Sequence, residues 1–297
     1  MKTLYLLSFL ILQSSLIASD TPKVLLINAH PDDESGCAAT VYKITKEMNG
    51  IVDLAVITNG EAGYKYSTLA ESIYGIELTE EKIGRKYLPD IRKKELKAGG
   101  SWVGIRNYIF FDQLDTYYTL DADTVLRLVW DTAFVTKSLR SLIQNEHYDY
   151  IFCLLPTPQT HGHHKAATIL ALETVRQLPL ALRPTILGVS GAMNKDTLTN
   201  SFLGLPAYPI TKIEKDAPIF TFNRKTPFGY NGKLNYNIVV NWLIAEHKSQ
   251  GTMQTFMNQG DKEVFYFFAI NNDEKKELTK DFFSRMTIPI FTKKTYK

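Results

Sequence analysis

The sequence lacks the features that are typical of several classes of protein. Its 297 residues include only two cysteines, Cys37 and Cys153, which are too few for a disulfide framework. Each lies in an apolar pattern, so we expect both to be buried packing residues, although an oxidising compartment would allow a single disulfide. No dense block of lysine and arginine occurs, and the net charge is only +3, from 34 basic and 31 acidic residues. An ordinary solvated surface is therefore expected, with no nucleic-acid partner.

Two further absences limit the set of folds that the chain can adopt. The first strand is not followed by the pattern GxGxxG, which argues against a dinucleotide site at the position where one would begin. The chain also has no internal repeat and no low-complexity segment. With 44% hydrophobic and 22% charged residues, it has the composition of one large globular domain.

The N-terminal segment has the layout of a secretory signal peptide. Lys2 precedes an apolar stretch at residues 4–12, and small or polar residues follow near Ala18. The stretch is short for a membrane span, which needs about 20 residues. We therefore expect a signal peptide at residues 1–19, one domain at residues 20–297, and an exported protein, periplasmic or secreted, without stable membrane insertion. A retained N-terminal anchor is the alternative.

From residue 23 onward, apolar runs alternate with helical periodicity. This pattern predicts an α/β, Rossmann-like fold, with a mostly parallel sheet covered by helices on both faces in a core at about residues 23–190. A less regular α+β part follows at about residues 191–297. Residues 63–89, which are polar and rich in tyrosine, are expected to form a lid or a substrate wall. A short helix near Asp90 is expected to stop at the pair Gly99 and Gly100. Strands are predicted at residues 23–28, 52–58, 108–111, 150–155, 184–190 and 263–270.

Polar motifs follow four of the predicted strands. They are "NAHPDDES" from Asn28, "TNGEAG" from Thr58, "DQLD" from Asp112 and "TPQTHGHH" from Thr157. The ligand site of a parallel sheet lies beyond the carboxyl ends of its strands, so these motifs are expected to meet there.

The first and last of these motifs bring together the residue types that bind a catalytic metal. His30, Asp32 and Asp33 come from one, and His161, His163 and His164 come from the other. Two histidines and one carboxylate, with a position left for water, form a recurrent catalytic zinc shell. In this interpretation Glu34 is a first-turn acid that faces the helix dipole. The alternative is purely structural: Asp33 or Glu34 caps the helix that begins near Ser35, and "HGHH" is a polar loop.

Together with "RKKELKAGG" and the late "AEHKSQ", these motifs resemble the PIG-L/LmbE family of zinc-dependent N-deacetylases, which remove acetyl groups from N-acetylglucosamine-type sugars. The resemblance implies that His30, Asp33 and His164 hold Zn²⁺ or another divalent metal. It implies that Asp32 is the general base and that His161 assists at the oxyanion or at the leaving amine.

The resemblance also implies substrate contacts for Arg92, Asp115 and Glu61, with Asp112 as a rival for Asp115. For Arg92 the alternative is a surface pair with Glu95. One position departs from the family, which usually has aspartate before the last histidine of the second motif. His163 stands there in this chain, so the carboxylate that would orient the neighbouring histidine is missing.

These expectations combine into an exported, metal-dependent hydrolase that removes the acetyl group from an N-acetylated amino sugar or glycoconjugate, either a small molecule or an oligosaccharide. One alternative is a metal-dependent amidase that acts on a non-sugar amide. Another is a carbohydrate-binding protein without catalytic activity, although such a protein has no need of a base beside an open metal position.

Overall fold

A seven-stranded, mixed sheet organises the chain. The computed structural model describes residues 21–116, 118–193 and 202–287, so the expected signal peptide lies outside the described residues. The strands are β1 Lys23–Asn28, β2 Ile51–Thr58, β3 Asn107–Gln113, β4 Tyr150–Leu154, β5 Thr185–Met193, β6 Phe220–Asn223, β7 Pro227–Phe228, β8 Leu234–Asn235 and β9 Lys262–Phe267. Their order in the sheet is β3-β2-β1-β4-β5-β9-β6, and β7 and β8 form a separate pair.

Strands β1 to β5 pair in parallel, whereas β9 runs antiparallel to both β5 and β6. The α/β prediction is therefore confirmed, and the C-terminal part contributes two strands to the same sheet. In β1 the side chains of Val24 and Leu26 pack into one core, and those of Leu25 and Ile27 pack into the core on the opposite face. This explains the nearly continuous apolar sequence of the strand.

Helices cover both faces of the sheet. They are α1 Ala38–Tyr42, α2 Thr68–Tyr74, α3 Glu81–Val103, α4 Ala122–Thr124, α5 Thr132–Glu146, α6 Gly162–Arg176, α7 Asn237–Glu246, α8 Gly251–Gln254 and α9 Glu274–Met286. Buried residues of α1, α3, α7 and α9 pack on one face, and those of α5 and α6 pack on the other. Of the helices within the described residues, none combines the length and the apolar character needed to cross a membrane.

One local prediction was wrong. Helix α3 does not stop at the pair Gly99 and Gly100 but continues to Val103. The two glycines serve close packing, since a Cβ atom on Gly100 would lie 2.1 Å from the Tyr108 hydroxyl and one on Gly99 would lie 3.0 Å from the Leu243 carbonyl oxygen. The helix ends instead at Gly104, whose φ of 83° suits glycine.

The tyrosine-rich stretch at residues 63–89 is mostly helical. It comprises most of the 3₁₀ helix Glu61–Tyr66, then α2 and the first turns of α3. The two cysteines are both buried and free. They are therefore packing residues, and they do not form the single disulfide that the sequence allowed.

Candidate active site and metal centre

The loop after β1 is held in shape by Asp33. Its Oδ2 accepts hydrogen bonds from the backbone N–H groups of Ala29 at 3.0 Å and His30 at 2.8 Å. Asp32 directly precedes the 3₁₀ helix Asp33–Cys37 and has a φ of 149°. This backbone conformation is energetically unfavourable for a residue with a side chain. The loop thus folds back on itself and holds Asp32 in a strained conformation.

His30, Asp33 and His164 form a triangle of donor atoms. His30 Nδ1 lies 2.9 Å from His164 Nε2, which lies 3.1 Å from Asp33 Oδ1, and Asp33 Oδ2 lies 3.8 Å from His30 Nδ1. One cation at about 2.0–2.2 Å from each donor fits such spacings. Burial opposes ionisation of Asp33, but His164 and His30 hold its pKa well below the usual range. The donor set therefore fits zinc, and His and Asp ligands suit other divalent ions as well.

The second nitrogen of His30 faces a different carboxylate. His30 Nε2 lies 3.7 Å from Asp115 Oδ1 and 3.2 Å from His163 Nδ1. Burial alone would lower the pKa of His30, but Asp115, Asp33 and Asp32 together raise it to about 9. His30 thus has a carboxylate near each ring nitrogen: Asp33 near Nδ1 and Asp115 near Nε2.

Asp32, the predicted base, is held by Arg92. Arg92 Nη2 lies 2.8 Å from Asp32 Oδ2 and also donates to the Pro31 carbonyl, while Nη1 donates to the Gly60 carbonyl. Burial raises the pKa of Asp32, although Arg92 opposes the shift. Arg92 is only 2% exposed, so it fixes the loop and the base rather than forming the alternative surface pair with Glu95.

His161 lies at the start of α6. Its Nδ1 accepts a hydrogen bond from the His163 backbone N–H at 3.1 Å, so the neutral ring carries its proton on Nε2. Burial and the imidazoles of His30, His163 and His164 lower the pKa of His161 to about 3. His161 is therefore suited to donate a hydrogen bond from a neutral N–H. His30, His161 and His163 also bring donor atoms within 4.8 Å of one another, but His161 has already committed Nδ1 to the backbone.

The remaining predicted substrate residues differ in position. Asp115 borders the cavity described below, but its carboxylate faces His30 and His163. Glu61 is buried, accepts a hydrogen bond from the Asp115 backbone N–H and does not line that cavity. Asp112, the rival of Asp115, is exposed and forms an ion pair with Lys93 outside the cavity.

A cavity of about 450 Å³ opens over these groups. Its floor contains His30, Asp32, Asp33 and His164. Around its mouth stand three aromatic side chains, Tyr66, Tyr118 and Phe256, which are 40%, 64% and 56% exposed. We call these three residues the aromatic rim. Of the three, only Tyr66 lies in the tyrosine-rich stretch at residues 63–89 that was predicted as a lid or a substrate wall. Tyr118 and Phe256 were not predicted, because a lone exposed aromatic residue carries no pattern.

One partner of a buried ion pair lies next to Asp33 in the chain. His247 Nε2 lies 2.6 Å from Glu34 Oε1, and the two residues are 0% and 1% exposed. Glu34 therefore pairs with a histidine of the late "AEHKSQ" motif and not only with a helix dipole. This motif was noted in the sequence, but its partner 213 residues away could not be identified from it.

Comparison with known proteins agrees with this geometry. The family model described as "PIG-L: GlcNAc-PI de-N-acetylase" matches residues 25–175, just over half of the chain. A probable N-acetyl-alpha-D-glucosaminyl L-malate deacetylase 2 from Bacillus cereus is 25% identical over 175 residues, covering 59% of this chain and 70% of that protein. The protein of the same name from Bacillus anthracis is 24% identical over 177 residues, covering 58% and 68%.

Solved structures share the fold at low sequence identity. The A40926 pseudoaglycone deacetylase Dbv21 is 14% identical with a TM-score of 0.52, covering 86% of this chain and 99% of that one. GalB, the 4-carboxy-2-hydroxymuconate hydratase from Pseudomonas putida KT2440, is 11% identical with a TM-score of 0.52, covering 84% and 96%. Because a hydratase shares the architecture, the fold alone does not specify the reaction, which must be argued from the site.

Proposed function

This chain belongs to the PIG-L family, and from that membership we propose that it is a metal-dependent deacetylase acting on an N-acetylated amino sugar or sugar conjugate. The deacetylase names of the two Bacillus relatives support the reaction class. The observation that carries the proposal is the triangle of His30, Asp33 and His164 at the floor of an open cavity, with Asp32 beside it.

The three donor residues account for the electrophilic part of the reaction. We propose zinc as the cation that they hold. Such a cation would polarise the amide carbonyl and bring the pKa of a water molecule to about 7. Asp33 supplies negative charge to the site, and its two backbone hydrogen bonds fix where that charge lies.

Asp32 and His161 account for the proton and the developing charge. Asp32 accepts a proton from the attacking water, and its half-buried carboxyl can return that proton to the amine as the amide C–N bond breaks. Arg92 holds the Asp32 carboxylate in place through Oδ2. His161 Nε2–H donates a hydrogen bond to the oxyanion, which favours this role over protonation of the leaving amine. The products are acetate and the free amino sugar.

The experiment is acetate release after removal of metal with a chelator and addition of zinc. Substrates are N-acetylglucosamine, its disaccharide and trisaccharide, and a non-sugar N-acetylated amine. We expect zinc-dependent release from the sugars, little release by Asp32→Asn, and wild-type release by the matched Asp112→Asn control. Release from the non-sugar amine alone would indicate an amidase. Sugar binding without any release would indicate a binding protein.

We also propose export, for which the support is the N-terminal sequence pattern at residues 1–19. The expected result is a mature chain that begins close to Ser19 or Asp20. Intact-mass measurement of the protein from the periplasm or medium tests this, and finding Met1 on the exported protein would refute cleavage.

A further inference from the structure

Asp115 is a carboxylate whose two oxygens both face groups of the protein. Its side chain is 6% exposed, and Oδ2 accepts a hydrogen bond from the Ala62 backbone N–H at 3.2 Å. Its Oδ1 lies 3.1 Å from His163 Nδ1 and 3.7 Å from His30 Nε2. An ionised carboxylate can only accept, so it favours an N–H on each imidazole nitrogen that faces it; His163 Nδ1 is within hydrogen-bond distance, and His30 Nε2 makes a longer electrostatic contact.

The two nitrogens of His30 therefore have different tasks. Nδ1 lies on the side of Asp33 and His164, within the donor triangle, and Nε2 lies on the side of Asp115. A carboxylate that holds the proton on one imidazole nitrogen leaves the lone pair of the other free for a cation, and it also fixes the plane of the ring.

His163 pairs with Asp115 at the position where the family usually has aspartate. It is 0% exposed, donates from Nδ1 to Asp115, and packs its ring against Trp130 at a centroid distance of 5.3 Å. Its Nε2 has no hydrogen-bond partner among the described residues. A carboxylate from the loop after β3 thus lies beside position 163, and His163 donates to it.

The backbone around Asp115 is held in place from two directions. Glu61 Oε1 accepts its N–H at 3.1 Å, and Arg85 Nη1 donates to its carbonyl oxygen at 2.9 Å. Arg85 Nη2 also donates to the carbonyl oxygen of Thr116. Because these hydrogen bonds fix the backbone of Asp115, its side chain is suited to hold another group in place.

We propose that Asp115 is a positioning residue that orients His30 for cation binding, that His163 holds Asp115 in turn, and that Asp115 does not contact the sugar. The inference rests on the proposed function, since it requires a cation at His30, Asp33 and His164. Glu61 then supports Asp115 rather than the substrate.

The test is zinc affinity measured by competition with a chromophoric chelator, with thermal unfolding as a check on folding. Loss of a carboxylate behind a metal-binding histidine typically costs about 10–100-fold in affinity. We expect a loss of that size in Asp115→Ala and a smaller loss in the nearly isosteric Asp115→Asn. We expect little change in His163→Asn, whose amide N–H can still donate. The matched control is Asp112→Asn, three residues away, exposed and outside the cavity, which should match wild type.

Kinetics at saturating zinc separates this role from substrate contact. If Asp115 orients His30, excess zinc should restore much of the kcat of Asp115→Asn and leave KM near the wild-type value. Unchanged zinc affinity together with a raised KM for N-acetylglucosamine would show that Asp115 contacts the sugar and would overturn the inference. Wild-type protein that binds no zinc would overturn the proposed function itself, which is a different and recognisable result.

Discussion

The floor and the rim of the cavity are built in opposite ways. The floor consists of largely buried side chains from the loops after β1 and β4 and from Asp115 after β3, each with several polar partners. The aromatic rim consists of Tyr66, Tyr118 and Phe256, which are all at least 40% exposed and come from three separate segments.

From this difference we infer that the floor carries out the reaction and that the rim selects the substrate. The residues of the floor stand at the ends of neighbouring strands, so their spacing is set by the sheet, and they lie within the segment that matches the PIG-L model. Of the rim, Tyr66 and Tyr118 also lie in that segment, whereas Phe256 lies outside it. We therefore expect changes in the floor to affect metal binding and kcat, and changes in the rim to affect KM in a way that depends on the substrate.

The largest effect is expected from Asp33→Asn. This change removes one of the three donors and the negative charge that offsets the cation, while an amide oxygen can still accept the backbone hydrogen bonds of Ala29 and His30. Zinc content should fall sharply, and deacetylation without added metal should fall to background. Excess zinc should restore part of the rate. Measuring metal content and acetate release on one preparation checks both results, and full zinc content in this variant would remove Asp33 from the donor set.

Asp32→Asn should give the next largest effect. Because Asp32 is bound to Arg92 and is not a donor of the triangle, zinc should remain while kcat falls by about 10²–10⁴-fold, as for a lost general base. The same two measurements apply. If Asp32→Asn is metal-free and Asp33→Asn keeps its metal, the two roles are exchanged.

The floor could be predicted from the sequence because parallel strands deliver their following loops to one edge. His30, Asp33 and His164 follow β1 and β4, which are neighbours in the sheet. Two short motifs were therefore enough to predict a metal site. Roles that depend on distant contacts could not be predicted. Glu34 and His247 are far apart in the chain, and the pairing of Arg92 with Asp32 was not expected, although Arg92 also lines the cavity.

The same limit applies to glycine and to single aromatic residues. A glycine pair normally indicates the end of a helix, but in α3 the absent side chains make room for Tyr108 and α7. The aromatic rim is assembled only when three segments fold together, so no periodicity indicates it. Local patterns thus predicted the elements and the donors, whereas packing decided helix length and cavity shape.

The Glu34–His247 pair should affect stability more than chemistry. Removing one partner of a buried pair costs about 3–5 kcal/mol in the free energy of unfolding, so Glu34→Gln should unfold at clearly lower temperature. Burial alone would lower the pKa of His247, but Glu34 and Asp32 raise it above the ordinary value, while Arg92 opposes them. The charged pair then contributes fully below the unfolded pKa of about 6.5, and its contribution is lost as pH rises through the folded pKa.

Unfolding free energies of wild type and Glu34→Gln, measured from pH 6 to pH 10, check this sign. The difference between the two proteins should shrink as pH rises. Lys248→Ala is a suitable control, because Lys248 is next to His247 but pairs with Glu246 at the surface. A difference that stays constant with pH would show that His247 keeps one charge state throughout.

The smallest effect is expected at the rim, from Phe256→Ala. Phe256 lines the cavity and is 56% exposed, so its ring is well placed to stack on a second sugar ring. If the contact is worth as much as a pair of aromatic side chains, about 0.5–1.5 kcal/mol, KM for the disaccharide should rise by about 2–12-fold with kcat unchanged. KM for N-acetylglucosamine itself should not change. Leu128→Ala, which removes a side chain that is 81% exposed and away from the cavity, provides the control. An equal rise in KM for the monosaccharide and the disaccharide would mean that Phe256 shapes the floor, and the separation between floor and rim would fail at that residue.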